Sequence, residues 1–442
     1  MKRIYEPYAY SHHPIERCFW RTSVEEPNFP RLEQDHRCDV VIIGAGFTGL
    51  SAAYHLTRDG YSVALLDAQQ PMFGATGRNG GFCCLGGGKA SDNRLDRLFG
   101  KDERLLYRAA EKEAVTLVSQ LFHDLKIEAD VQSHGETALA HRPKDAKAFE
   151  DELPRIKENY GVDAILHAKE ELVQLGFGGC FFGGMTIPIG FGLNPRKYAS
   201  TVLEATKRQG AAIFGESPVL SVVKNKSGFE LSTRQGTVRA DKVIFATNGY
   251  SSEDLPRWLH SRFMPVQSSI IVTRQLTDEE LSAQGWTSDQ IAYDTRDLLH
   301  YFRLLPNKRF LFGMRGGLFA TDEAQSAISK EIRQNFSTLF PKWREVEIEY
   351  EWSGLACLSR SQTPYVGKVP EMEGAFAGFA YHGNGVAMGS YSGALLSDLV
   401  QEKQPQTPYP ATMRTVPPRF PFGRYRRHLM RPLYAYMAWS DK

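Results

Sequence analysis

The chain has 442 residues, with 53 Lys and Arg against 51 Asp and Glu and a net charge of +2. That length exceeds what one hydrophobic core usually organises and predicts two domains, while the balanced charge gives no reason to expect a nucleic-acid or anionic-membrane partner. The six cysteines (Cys18, Cys38, Cys83, Cys84, Cys180 and Cys357) lack the two-residue spacing of a zinc or redox motif, and Met1–Tyr10 lacks the apolar run of a secretory signal or span, so the expectation is a cytoplasmic protein with reduced thiols, no metal and no membrane insertion.

Residues 1–32 carry Pro7, Pro14, Pro27 and Pro30 among Tyr, His, Trp and Arg, which predicts an extended arm over the surface. His12 and His13 are adjacent rather than at ligand spacing and are expected at the surface. Val40–Ile43 is too short an apolar run for a helix and predicts a strand buried on both faces. A helix follows, packed through Leu50, Ala53 and Tyr54 and ended at Gly60. Between them, Gly44, Gly46 and Gly49 fit the dinucleotide fingerprint: a tight turn, backbone approach to a pyrophosphate, and close packing of helix on strand. Phe47 and Thr48 open that helix, whose N-terminus then faces an anion. A second strand, Tyr61–Leu66, delivers Asp67 and Ala68 about twenty residues after the glycines, where a carboxylate accepts hydrogen bonds from a ribose.

The segment from Pro71 through Gly88 is too rich in glycine for a helix or strand interior and suits a loop whose amides approach a flat or phosphorylated ligand. Thr76 and Arg78 add hydroxyl and cationic donors. Gly44-Ala45-Gly46-Phe47-Thr48-Gly49-Leu50-Ser51-Ala52-Ala53, together with Gly74-Ala75-Thr76-Gly77-Arg78-Asn79-Gly80-Gly81, resembles the D-amino-acid oxidase-like family of flavoenzymes, most closely its γ-glutamylputrescine oxidoreductase branch. The resemblance implies FAD, covalent or noncovalent, and oxidation of a carbon–nitrogen bond.

A long helical pattern over 91–126 with a possible break at Gly100 comes next, then a strand at Gly135–Ala140 and a helix from Lys144 to Asn159 interrupted at Pro154. Gly176–Gly192 is expected to be loop and strand beside a ligand or domain junction, with Cys180 a packed thiol. A helix from Pro195 to Gln209 leads into short strands at 211–214, 217–224, 228–233 and 237–246. By resemblance, Val219 would touch the adenine through its backbone, and Ala246, Thr247 and Gly249 would lie near the pyrophosphate.

Pro265–Thr273 and Tyr301–Gly313 alternate as strands of a second sheet, and Ile328–Phe340 is helical. Arg303 and Arg315 are candidates to clamp a substrate carboxylate, with a structural salt bridge as the competing role. Some relatives promote oxygen reaction with a lysine on the strand matching Leu311–Gly313; none stands within it here, which leaves oxygen or an electron-transfer partner as acceptor. Phe177, Phe181, Phe182, Tyr301, Phe302 and Tyr381 are either pocket or core aromatics.

The stretch from Trp352 through Gly354 to Gly367, then Phe376–Ala380 and Tyr381-His382-Gly383-Asn384-Gly385-Val386-Ala387, looks like the closing FAD segment of the family, in which the matching helix points at the flavin's pyrimidine oxygen. Asn384 stands where a histidine is common. His382 either orients substrate and accepts a proton or is hydrogen-bonded in a crowded turn; Cys357 is out of step with the cysteine that attaches flavin in some relatives. Arg424, Arg426, Arg427 and Arg431, interleaved with apolar residues, predict a docked tail with a solvated basic face.

The fold class expected is α/β: a Rossmann-like, glutathione-reductase-type FAD domain (33–92, 190–255 and 350–402) interleaved with a mixed-sheet α+β substrate domain (93–189 and 256–349), then a surface tail over 403–442. The expected function is FAD-dependent oxidation of a small amine or amino acid, with γ-glutamyl amines among the candidates, by hydride transfer to flavin, giving an imine that water hydrolyses. The alternatives are a hydroxy-acid dehydrogenase and a noncatalytic FAD-fold binding protein. The sequence carries no signal for oligomeric state.

Overall fold

A computed structural model describes residues 2–441; Met1, Lys442 and the Arg424 side chain lie outside the description. Two eight-stranded sheets organise the chain. In the first, Thr237–Phe245, His36–Ile43, Val63–Leu66 and Ala212–Phe214 run parallel in that order, with Ala375–Phe379 parallel on the outer side of Thr237–Phe245. Period two explains why Val40–Ile43 is apolar throughout: Val40 and Ile42 enter one core, Val41 and Ile43 the other. Helices Phe47–Arg58 and Ala387–Val400 pack together over the first of these cores.

The second sheet is mixed, in the order Ile348–Leu358, Met264–Thr273, Phe310–Arg315, His300–Leu304, Ile291–Asp294, Glu136–Leu139, Gly184–Ile187 and Ile165–His167. Phe302, Phe310 and Phe312 point to one face, where Ile328, Ile332 and Phe336 of helix Asp322–Leu339 cover them with Trp286 and Trp343. Tyr301, Arg303, Leu311 and Arg315 therefore share the opposite face.

The fold class is the one expected, and five local expectations change. Strand Ile348–Leu358, of which residues 350–358 were expected in the FAD domain, pairs along its length with Met264–Thr273 in the second sheet. Long-range pairing chose its partner, and no local pattern encodes that choice. Helix Pro143–Tyr160 runs unbroken through Pro154, anchored on either side by buried Phe149 and Ile156. Cys180 is exposed rather than packed; the other five thiols are buried and all six are free.

The termini change most. The N-terminal arm is three short 3-10 turns that bury Tyr10, Ile15, Cys18 and Trp20, with the Trp20 indole donating to the Asn79 carbonyl at 2.8 Å. The tail does not simply wrap the surface: it ends in helix Met430–Ser440, and of the arginines expected on a solvated face Arg426 and Arg427 are buried, Arg431 is exposed and the Arg424 side chain lies outside the described residues. Arg426 is fully buried and bidentate on Glu253 (2.6 and 2.9 Å), and Arg427 is buried against Glu6 and the Ile4 carbonyl. Each of these cations found a carboxylate or carbonyl from residues remote in sequence, which offsets the cost of burying it. No described helix is long and apolar enough to cross a membrane.

Candidate active site

Strands His36–Ile43, Val63–Leu66 and Thr237–Phe245 end at one edge of the first sheet and deliver Gly44, Asp67 and Ala246 together. This is where ligands bind in open parallel sheets. A cavity of about 920 Å³ runs from there to the Arg315 end of the second sheet.

At the sheet edge, Gly44 adopts φ +104°, and a Cβ there would lie 2.8 Å from the Ala246 carbonyl oxygen. Asp67 accepts from the Ala45 N–H (2.8 Å) and the Gln69 N–H (2.9 Å), and burial pushes its carboxyl up to about 6. The Thr76 hydroxyl accepts from the Phe47 N–H at 2.9 Å, which stitches the glycine-rich loop to the start of the helix. Asn79 spends its amide on that loop, donating to Ala75 and Thr76 and accepting from Gly81. Arg78 lies over Phe73 and donates to the Phe73 and Ser353 carbonyls, yet its buried Nη2 has no partner among the described residues.

Most of the residues singled out from sequence line the cavity: Gly44, Gly46, Phe47 and Thr48; Asp67 and Ala68; Gly74–Thr76 and Arg78–Gly80; Val219, Ala246 and Thr247; and Gly354 with His382–Val386. Gly49, Gly81, Gly249, Ala387 and Arg303 do not. Gly49 packs the helix onto its strand, its missing Cβ 1.9 Å from the Gly44 oxygen. Gly249 packs against the Leu355 and Ala356 carbonyls, and Ala387 is buried in the helix. Arg303 is a correction to the carboxylate-clamp expectation: it lies beneath Gly81 and Gly192, donates to the Leu193 carbonyl at 2.6 Å and sits over the Trp20 ring. Two residues along the strand from Tyr301 carry it past the cavity into packed interior. Of the six aromatics, Tyr301 and Tyr381 line the cavity, Phe177, Phe181 and Phe302 are core, and Phe182 is exposed.

At the far end, Arg315 donates to the His382 carbonyl at 3.3 Å. It has no carboxylate partner among the described residues. His382, with φ +51°, accepts the Ser359 N–H at Nε2 (3.3 Å) and approaches the Ser359 hydroxyl at 3.2 Å. Acceptance at Nε2 leaves the ring proton on Nδ1, which is buried and unpartnered. Burial, with the Lys89 and Arg315 cations, lowers His382 to about 3, so it stays neutral and is a poor base at neutral pH; of the two roles expected for it, the geometry favours the hydrogen-bonded turn over the proton acceptor. Cys357 also lines the cavity, with its thiol pushed up to about 12 by burial.

Sequence reasoning missed Lys89 and Glu136, both on the cavity wall, although Lys89 follows the Gly86–Gly88 run already expected to approach a ligand. It also missed Met430, Leu433, Tyr434 and Met437 of the C-terminal helix, which line the same space. Nothing in the tail's local pattern pointed there.

A glycine turn at a parallel strand end, a buried acid on the next strand, an unpartnered Arg78 donor and an elongated cavity together fit FAD, and define a dinucleotide-binding flavoprotein. FAD would be held by Gly44–Thr48, Asp67, Gly74–Gly80, Val219, Ala246–Thr247 and the Gly383–Val386 turn. The chain belongs to the DAO family of FAD dependent oxidoreductases, whose family model matches residues 39–399. It is 27% identical over 399 residues to the probable oxidoreductase OrdL of Haemophilus influenzae, covering 89% of each chain. It is 26% identical over 379 residues to the γ-glutamylputrescine oxidoreductase of Escherichia coli, covering 84% of this chain and 86% of that one. Among solved structures, glycine oxidase from Geobacillus kaustophilus superposes with a TM-score of 0.70 at 20% identity, over 86% of this chain and 99% of that one.

Proposed function

We propose that this enzyme oxidises a carbon–nitrogen bond of a small amine or amino acid that carries a carboxylate, giving an imine that water hydrolyses to a carbonyl compound and a smaller amine. The observation that carries this reading is Arg315: a guanidinium facing the cavity, held by one carbonyl and paired with no described carboxylate. An anionic substrate group answers it. Relatives named for γ-glutamylputrescine and glycine support a nitrogen substrate with such a group.

FAD, when bound, supplies the hydride acceptor. The chain's own part is to orient the substrate through Arg315, to exclude water with walls that include Tyr301 and Tyr434, and to offer the amides of the Gly383–Val386 turn to developing negative charge. His382, lowered to about 3, does not supply the firm base that a hydroxy-acid dehydrogenase would draw from it. A cytoplasmic location suits the six free thiols.

The test is an anaerobic screen in which purified protein is mixed with amines, amino acids, γ-glutamyl amines and hydroxy acids and its flavin absorbance followed. Bleaching by a carboxylated amine supports the reading, whereas bleaching by hydroxy acids alone overturns it. Recolouring on admission of air separates oxygen from an electron-transfer partner as acceptor.

A further inference from the structure

We propose that Lys89 takes the proton from the ammonium of the arriving substrate, so that the amine is oxidised in its neutral form. The inference rests on the carbon–nitrogen reading above. The Lys89 amide donates to the Gln362 carbonyl at 2.8 Å, and the glycine run before it lies flat on the Asn384 turn: a Cβ at Gly86 would sit 1.9 Å from Asn384 Nδ2. The backbone is thus held beside the Gly383–Val386 turn while the side chain opens into the cavity. No ion pair or hydrogen bond holds its amine among the described residues.

The titratable and charged groups facing Lys89 are Arg315 and His382, Glu136, Cys84 and Asp297. Arg315 repels the lysine's charge. Burial pushes Glu136 up to about 8 and Cys84 well above its usual value, so neither supplies a full counterion at neutral pH, and Asp297 is the remaining carboxylate. Lys89 is exposed to the cavity; the nearby Arg315 charge first and the enclosing walls second bring it down to about 7, within reach of a proton-acceptor role that His382 does not fill.

An alkylamine enters at neutral pH as a cation, and hydride loss from its carbon needs the nitrogen lone pair. In the transfer one substrate N–H bond breaks and one forms at Lys89 Nζ; no electrons leave either molecule, and the proton passes to water after product departs. Arg315 links binding to this step. A carboxylate seated on the guanidinium screens the charge that depresses Lys89, so the lysine's proton affinity rises as the substrate arrives.

The experiment is stopped-flow anaerobic flavin reduction of holoenzyme by the most effective amine of the screen, from pH 6 to 10, in wild type, Lys89→Met and Lys89→Gln. In the second-order reduction constant, which reports the free enzyme, wild type should show an acid limb near 7. In both variants the limb should move up towards the amine's own pKa, with the rate at pH 7 falling about 100-fold and the rate at pH 10 falling less than about threefold. Independently, ¹³C-dimethylated holoenzyme should show one lysine resonance that titrates near 7 and disappears in Lys89→Met. An unmoved limb in variants that still bleach overturns the proposal alone, as does a raised KM for carboxylated amines with the limb in place, which would make Lys89 an anion clamp. A Lys89 resonance titrating near 10 overturns it without recourse to variants. If no amine bleaches the flavin, the carbon–nitrogen reading fails and the role of Lys89 with it.

Discussion

Arg315 Nη2 lies 3.3 Å from the carbonyl oxygen of His382, which ties the last residue of a second-sheet strand to the glycine turn that follows strand Ala375–Phe379 of the first sheet. That contact joins the residue proposed to clamp the substrate to the turn proposed to face the cofactor. Arg315→Lys keeps a cation but loses the planar fork, and KM for a carboxylated amine should rise about 10- to 100-fold with FAD content unchanged. Steady-state kinetics over amines with and without a carboxylate check this; equal KM changes in both groups would remove Arg315 from carboxylate recognition.

Gly46→Val should purify without flavin. The first atom of the new side chain would lie 2.8 Å from the Thr76 hydroxyl that accepts the Phe47 N–H, so the loop and helix start are pushed apart where a pyrophosphate must approach. Absorbance at the flavin band, with circular dichroism to confirm folding, decides the matter. A folded variant that is still yellow refutes the cofactor assignment of this turn.

FAD affinity should fall as pH drops through about 6. Without FAD, burial raises Asp67, so below that pH its carboxyl is protonated and accepts hydrogen bonds poorly; ribose hydroxyls favour the charged form, so binding strengthens as pH rises. Fluorescence titration of FAD-free protein at pH 5 and 7.5 measures the difference. In Asp67→Asn the pH dependence should vanish and Kd at pH 7.5 should rise about 10-fold or more.

His382 should contribute no limb to the rate profile between pH 5 and 9, because its ring is neutral throughout. Its replacement costs stability instead. His382→Ala leaves the Ser359 N–H without its acceptor and should lower stability by about 1–3 kcal/mol in denaturant titration, whereas Gln can still accept that bond. A limb present in wild type and lost in His382→Gln would reinstate it as a base.

Asp441 accepts from the amides of Asp297 (2.8 Å) and Leu298 (3.1 Å), pinning the end of the helix whose Tyr434 and Met437 line the cavity. Asp441→Ala should free that wall. Limited trypsin digestion of the tail should become several-fold faster and KM should rise, while FAD stays bound; an unchanged KM would show that the helix covers the site without shaping it.

Much of this was legible locally. Three glycines at fixed spacing after an apolar tetrapeptide, with an acid at the end of the next strand, encode the dinucleotide turn because backbone sterics and period-two burial act over a few residues. The Gly74–Gly81 loop was legible from its glycine content, and the Gly383–Val386 turn from its glycines together with the family resemblance. The distinction between Arg303 and Arg315 was not: both lie on one face of the second sheet, and only the register of strands His300–Leu304 and Phe310–Arg315 sends one beneath Gly81 and the other into the cavity. Lys89 and Tyr434 became site residues through packing between segments far apart in sequence. The neutrality of His382 likewise comes from burial and from cations on other elements. By itself the sequence determined the proposed cofactor cradle, because that cradle is made of short-range backbone geometry; tertiary structure alone decided what lines the proposed substrate end of the cavity, because charge, burial and strand register are set by long-range contacts.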